Sequence, residues 1–158
     1  MDRDSTEAII HAFVTTNLDC CNAILYGLPK VLLNRLQLVQ NRAVHIVTFT
    51  KKYDHFPPTL IDLHWLPVDY RIIYKILLLV NKAINGFSPS YISNLLSFCR
   101  SSYSLGSCSN KLLQVQRSNL KSYGDRRFSI AGPKLWNSLP PSLRNADSLN
   151  SFKKHLKT

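Results

Sequence analysis

Five basic residues crowd one short stretch of the chain, Arg117, Lys121, Arg126, Arg127 and Lys134, with Tyr123 and Phe128 set among them. Lysine and arginine neutralise phosphates and release counterions, and an aromatic ring offers a base a surface to stack on. Basic and aromatic residues interleaved at this density point to contact with a nucleic acid rather than to solubility alone. A second pair, Arg35 and Arg42, stands seven residues apart and so falls on one face of a helix. Such a pair can track a phosphate backbone or simply face water, and spacing leaves both readings open. The net charge of +11 over 158 residues favours a polyanionic partner. Its distribution says where: residues 1–50 hold four Lys/Arg against four Asp/Glu, residues 51–100 six against three, and residues 101–158 ten against two. The contact surface therefore belongs in the last third.

The acids argue against catalysis. Two-metal chemistry needs clustered carboxylates, because the two cations sit about 4 Å apart. The nine acids are Asp2, Asp4, Glu7, Asp19, Asp54, Asp62, Asp69, Asp125 and Asp147, no two of them adjacent. No phosphate-binding glycine loop, dinucleotide fingerprint or nucleophile elbow is present. Asp54, His55 and His64 would need the fold to assemble them, and they read as loop polarity. No catalytic residue, cofactor or metal site is expected. Cys20, Cys21, Cys99 and Cys108 form no metal-binding spacing. Cys20 and Cys21 are neighbours, and neighbours on a helix point about 100° apart, which suits neither a bridge nor chelation. Free thiols imply a reducing, intracellular setting, cytoplasm or nucleus. Asp2, Arg3, Asp4 and Glu7 crowd the start and argue against a secretory leader. The apolar run from Ile76 to Val80 is too short to span a bilayer, so no membrane partner is expected.

The elements that would position these residues are mostly helices. Asp4 and Glu7 have capping-box spacing, and a helical pattern follows through Tyr26 to a Gly27 cap. A second helix runs from Lys30 to Val47, with Leu32, Leu36, Val39, Ala43 and Val47 as its apolar stripe, paired antiparallel with the first. A polar connector, residues 48–58, leads to a short helix over Thr59 to Trp65. A third long helix spans Asp69 to Ala83, turning Ile72, Ile73, Ile76, Leu77, Val80 and Ile84 inward until Asn85-Gly86 ends it. Ser88-Pro89 opens another. The Ser-rich stretch 97–110 reads as a linker. Beyond it, Lys111 to Gln116 and Asn119 to Tyr123 read as a hairpin about Arg117-Ser118. A helix over Arg126 to Asn137 carries a kink or a late start at Gly132-Pro133, Pro140-Pro141 marks a loop, and Asp147 or Ser148 caps a last helix. Trp65 and Trp136 sit in apolar strings ending in proline and read as core anchors rather than base-stacking platforms. The expected fold is mainly α: a helical region over 1–96, the linker over 97–110, and a small basic α+β region over 111–158.

Several strings resemble a known family. Leu18-Asp19-Cys20-Cys21-Asn22-Ala23-Ile24-Leu25-Tyr26-Gly27-Leu28-Pro29, Arg35-Leu36-Gln37-Leu38-Val39-Gln40-Asn41, Asp54-His55 and Leu63-His64-Trp65-Leu66-Pro67-Val68 resemble, in order, stretches of jockey-like, LINE-type non-LTR retrotransposon reverse transcriptases. Arg71-Ile72, Lys75 to Leu79, Lys82 to Gly86 and Ser88 to Ile92 are similar to the strings that follow. Tyr123 to Ser129, Pro133 to Pro140, and Phe152-Lys153 with Leu156 to Thr158 look like the family's closing strings. The order holds from Leu18 to Thr158. The chain departs from the family pattern at Asn17, Cys20, Arg42, Val44, His45, Gly106, Gln116 and Arg127.

The resemblance implies the helical thumb of such a polymerase followed by its C-terminal extension. The fingers, the palm aspartates and the endonuclease would lie upstream of Met1. It further implies RNA or an RNA–DNA duplex as partner, held electrostatically, with no polymerase activity in this stretch. Two rival readings stand beside it. Apolar faces left bare by a missing palm would make the chain a helical interaction module, recruiting partners or self-associating. A translated genomic remnant would have no function at all.

Overall fold

The computed structural model describes residues 2–49, 60, 63, 65–99, 111–120, 123–146 and 148–157. Within these residues the chain is mainly helical and contains no strand. It forms two compact units, Met1–Ile72 and Ile73–Thr158. The division falls inside a long helix rather than at the Ser-rich stretch. Phe98, at the start of that stretch, and Leu113, just beyond it, make an antiparallel bridge and belong to the same unit. Residues 100–110 of the stretch lie outside the described residues.

The first unit starts with helix α1 (Arg3–Ile10), capped by Asp2, whose Oδ1 accepts the Ser5 N–H at 3.1 Å. The cap is therefore Asp2, not Asp4. Hydrogen bonds from the Ser5 hydroxyl and N–H hold the Asp2 carboxyl below its ordinary pKa of 3.8. A single wide turn, the π-helical segment His11–Thr15, joins α1 to the short helix α2 (Thr16–Asp19). Side chains support it: Thr16 Oγ1 donates to the His11 carbonyl (2.9 Å) and Asn17 Nδ2 to that of Phe13 (2.6 Å).

The expected continuation to Tyr26 does not form. Cys20 is extended (ψ 116°), Cys21 is left-handed (φ 52°), and a 3-10 turn over Asn22–Leu25 follows. Asn22 is buried there. Gly27 does take the left-handed conformation expected of it (φ 72°).

Helix α3 (Lys30–Thr48) matches its expected span, but its buried face is rotated. Gln40, Ala43, Val44 and Val47 are buried, whereas Leu32 and Val39 are exposed. The segment 66–68 draws Gln37 and Gln40 inward, because buried backbone groups require partners. Gln40 Nε2 donates to the Leu66 carbonyl (2.8 Å), and the Val68 N–H donates to Gln37 Oε1 (2.9 Å). Arg71 closes the arrangement, Nε to the same Leu66 carbonyl (2.7 Å) and Nη1 to Asp19 Oδ2 (2.9 Å). The core beside it is Ile10, Ala43, Val44, Val47 and Trp65, with Val14, Leu60 and Leu63 packed on it. Trp65 is a core residue as expected, and the His11 ring meets it edge-on at 5.2 Å. His64 and most of the expected helix over 59–65 lie outside the described residues, as do Asp54 and His55.

Helix α4 (Val68–Ile84) contains the boundary between the units. Ile72, Ile76, Leu77 and Val80 are buried as the pattern requires, and Ile73 and Ile84 are half-buried. Asn85-Gly86 ends the helix, with Gly86 at φ 77° and the Phe87 N–H reaching back to the Lys82 carbonyl (2.8 Å). Helix α5 (Ser90–Ser93) is a single turn. It ends at Ser93 with Tyr91 on the surface, and Leu95, also exposed, lies beyond it in a turn, so the helix opened by Ser88-Pro89 does not extend to Leu95.

The rest of the second unit is organised around Trp136. Helix α6 (Phe128–Ser138) begins two residues after the expected Arg126 and runs through Gly132-Pro133 with Pro133 inside it, so no late start occurs at that pair. Gly132 faces Val80, and a Cβ there would meet Val80 Cγ2 at 2.9 Å, so only glycine permits this approach. Trp136 is fully buried against Phe152 (ring centroids 5.8 Å) and donates Nε1–H to the Lys111 carbonyl (2.9 Å). Asn137 grips Leu113 twice, accepting its N–H (2.9 Å) and donating to its carbonyl (2.8 Å).

This grip replaces the expected hairpin. Leu113 is held by a side-chain amide and by Phe98, residues 114–118 run irregularly, and no strand follows Arg117 among the described residues, Lys121 and Ser122 of the expected second strand lying outside them. The small α+β region is thus helix plus an irregular segment. Pro140-Pro141 opens a one-turn helix, α7 (Pro141–Arg144), where a loop was expected. Helix α8 (Leu149–Lys157) is capped by Ser148, whose hydroxyl accepts the Ser151 N–H (3.1 Å), and it buries Phe152 completely.

Candidate nucleic-acid interface

Four of the five basic residues singled out in the last third are described, and they gather about one turn. Gly124–Arg126 form a 3-10 turn that leads directly into α6, with Arg127 at the junction. Arg127 Nε donates back to the Gly124 carbonyl at 3.3 Å, which sets its stem along the turn. Arg126 stands over the Tyr123 ring, 6.0 Å from its centroid, at the outer limit of a cation–π contact. Lys134 lies seven residues beyond Arg127 and pairs with Asp125 at 3.3 Å, both half-exposed. Arg117 is exposed and precedes a small turn in which Ser118 Oγ donates to the Leu120 carbonyl (3.1 Å) and accepts its N–H (3.3 Å).

That small turn lies on Gly124. A Cβ at position 124 would run into Ser118 Oγ and come within 3.3 Å of the Leu120 Cβ. Glycine at this position therefore lets the segment bearing Arg117 approach the turn bearing Arg126 and Arg127. The result is three arginines and a lysine around one close backbone contact. Tyr123 is exposed beside them and Phe128 is turned inward against Gly132. Of the two interleaved aromatics, only Tyr123 can offer a face to a base. Lys121 lies outside the described residues.

Arg35 and Arg42 belong to the other unit. Both are exposed on one face of α3, as their spacing requires, but their neighbours are not polar. Val31, Leu38 and Ile46 follow on the same stripe at helical intervals, and Leu32 and Val39 flank it, all exposed. The surface is an apolar face with two arginines inside it.

Sequence reasoning missed two things. Asp125 opposes Lys134 and offsets one charge of the cluster, and nothing in the spacing of residues nine apart signals that pairing. Gln37, Gln40, Asn137 and Arg71 hold backbone rather than ligand, and the signal for this was their position beside proline-containing strings that cannot complete a ladder. Arg144, although basic, is buried and takes no part in the surface cluster.

Among the described residues no group of three or more His, Cys, Asp or Glu is placed to hold a metal ion. Among them, too, no helix is long and apolar enough to cross a membrane. The chain matches no protein-family profile, no curated protein and no solved structure.

Proposed function

We propose that the chain is a nucleic-acid-binding fragment corresponding to the thumb and C-terminal extension of a non-LTR retrotransposon reverse transcriptase, without polymerase activity of its own. The observation that carries the binding is the gathering of Arg117, Arg126, Arg127 and Lys134 about the Gly124 turn, with Tyr123 exposed beside them. Guanidinium and ammonium groups held this way neutralise phosphates and release counterions with little reading of base sequence. The family assignment rests on the ordered strings of the sequence. In support of it, the polar residues of those strings have work to do in this fold: Asp19, Gln37, Gln40 and Arg71, with the backbone of Leu66 and Val68, knit four of the strings into one hydrogen-bonded arrangement.

The test is fluorescence anisotropy of the chain with a labelled RNA hairpin and an RNA–DNA duplex over a salt series. Binding at low salt, with log K falling steeply against log salt, is the expected result. Failure of both probes to bind at low ionic strength would end the proposal.

A second reading is favoured by the surface of α3. Val31, Leu38 and Ile46 are each more than half exposed on one stripe, at 67%, 56% and 54%. A helical interaction module would use this face, by self-association or by recruiting another helix. Light scattering over a concentration range decides: mass rising with concentration supports self-association, and a constant monomer mass excludes it.

A further inference from the structure

Two exposed thiols stand side by side at Cys20 and Cys21, both free. On a helix they would diverge, but the helix stops at Asp19 and the pair lies in a turn. Cys20 has an extended ψ of 116° and Cys21 a φ of 52°. In a strand, successive Cβ atoms alternate because an extended ψ is followed by a φ of about −120° to −140°. The φ of Cys21 is rotated by roughly half a turn from that value, which swings its Cβ to the same side of the chain as the Cβ of Cys20. The backbone therefore sets both Cβ atoms on one side of the turn, and both side chains are exposed there.

The turn is anchored at both ends. The Cys20 N–H bonds to the Thr16 carbonyl (2.9 Å), and the Ile24 N–H bonds to the Cys21 carbonyl (3.0 Å). Asn22 is buried immediately after it. A non-glycine residue with positive φ is strained, and these contacts keep it there. The pair is thus arranged before any ligand arrives.

Closure to a disulfide is disfavoured. Adjacent Cα atoms are about 3.8 Å apart, below the usual disulfide range of about 4.4–6.8 Å. Zinc in a structural site wants four ligands, and no third Cys, His, Asp or Glu among the described residues joins these two. Two thiolates with no further donor suit a soft cation content with two ligands, and thiolate sulfur selects monovalent copper. We propose that Cys20 and Cys21 form a two-thiolate binding site for a soft, two-coordinate cation of the cuprous type. The site is independent of the nucleic-acid surface.

The experiment is an anaerobic titration of the reduced full chain with Cu(I) against a chromophoric Cu(I) chelator. One ion per chain is expected. Cys20→Ser and Cys21→Ser should each weaken its retention by roughly a hundredfold or more, because the second sulfur acts at high effective concentration. Cys21→Gly, which keeps the turn and removes the thiol, should do the same. The double variant Cys99→Ser/Cys108→Ser should bind as the parent does. Both target side chains are exposed, so circular dichroism should be unchanged in the Cys20 and Cys21 variants. No competition with the chelator, equal retention by the single variants and the parent, or loss that follows Cys99 and Cys108 instead would each overturn the site.

Discussion

The two units solve the same problem with different residues. Each must hold an irregular stretch of backbone against a helix. In the first, Gln37 and Gln40 of α3, with Arg71, take the carbonyl of Leu66 and the N–H of Val68. In the second, Trp136 and Asn137 of α6 take the carbonyl of Lys111 and both backbone groups of Leu113. Their surfaces then diverge: the first unit exposes the apolar face of α3, and the second exposes arginine and lysine about the Gly124 turn. A polar residue in a distinctive sequence string is thus a candidate for ligand contact only once the backbone has been supplied. By that measure the glutamines of α3 are structural, whereas Arg117 and Arg127 stand exposed at the surface, Arg127 while holding the Gly124 carbonyl through its Nε.

The largest expected effect is on the second unit's anchor. Trp136→Ala removes the buried ring and its bond to Lys111, at a cost of about 3–5 kcal/mol. Thermal unfolding should show the transition of that unit lowered, and nucleic-acid affinity should fall with it, because the segment leading to Arg117 loses its hold. Preserved binding in a destabilised variant would separate the grip from the basic surface. Next comes the first unit's grip. Gln40→Ala deprives Leu66 of one donor and should lower stability by about 1–3 kcal/mol, measured in a denaturant series. Nucleic-acid binding should not change, and a parallel loss of affinity would erase the contrast between the units. The smallest effect is Asp125→Asn, which frees Lys134 from its half-exposed ion pair. Affinity should rise by roughly twofold at low salt and converge with the parent as screening grows. An unchanged affinity would place Lys134 outside the contact.

Long periodic helices were legible in the sequence, and α3 and α4 appear with nearly the expected spans. Trp65 and Trp136 were legible as core because both stand in apolar strings. What periodicity could not convey was the rotation of α3. Leu32 and Val39 satisfy the apolar stripe but stay exposed, because the backbone of 66–68 needed the glutamines on the inner face. The hairpin misled for a related reason: alternating residues near Leu113 looked like a strand, yet a side-chain amide distant in sequence took its hydrogen bonds. The break at Cys20-Cys21 was hidden because no glycine or proline marks it, and a left-handed cysteine has no sequence signature. The basic cluster itself was legible from composition. Its assembly through Gly124 and its partial offset by Asp125 are tertiary facts.

The central claim is that charge on the second unit, not the first, carries nucleic-acid binding. The most direct test compares the salt dependence of RNA–DNA duplex binding for Arg126→Ala/Arg127→Ala and Arg35→Ala/Arg42→Ala with that of the parent. The account predicts that the first pair flattens the slope of log K against log salt by about one unit for each lost phosphate contact, while the second leaves the slope unchanged. A slope flattened by the Arg35 and Arg42 substitutions and untouched by those at Arg126 and Arg127 would contradict it.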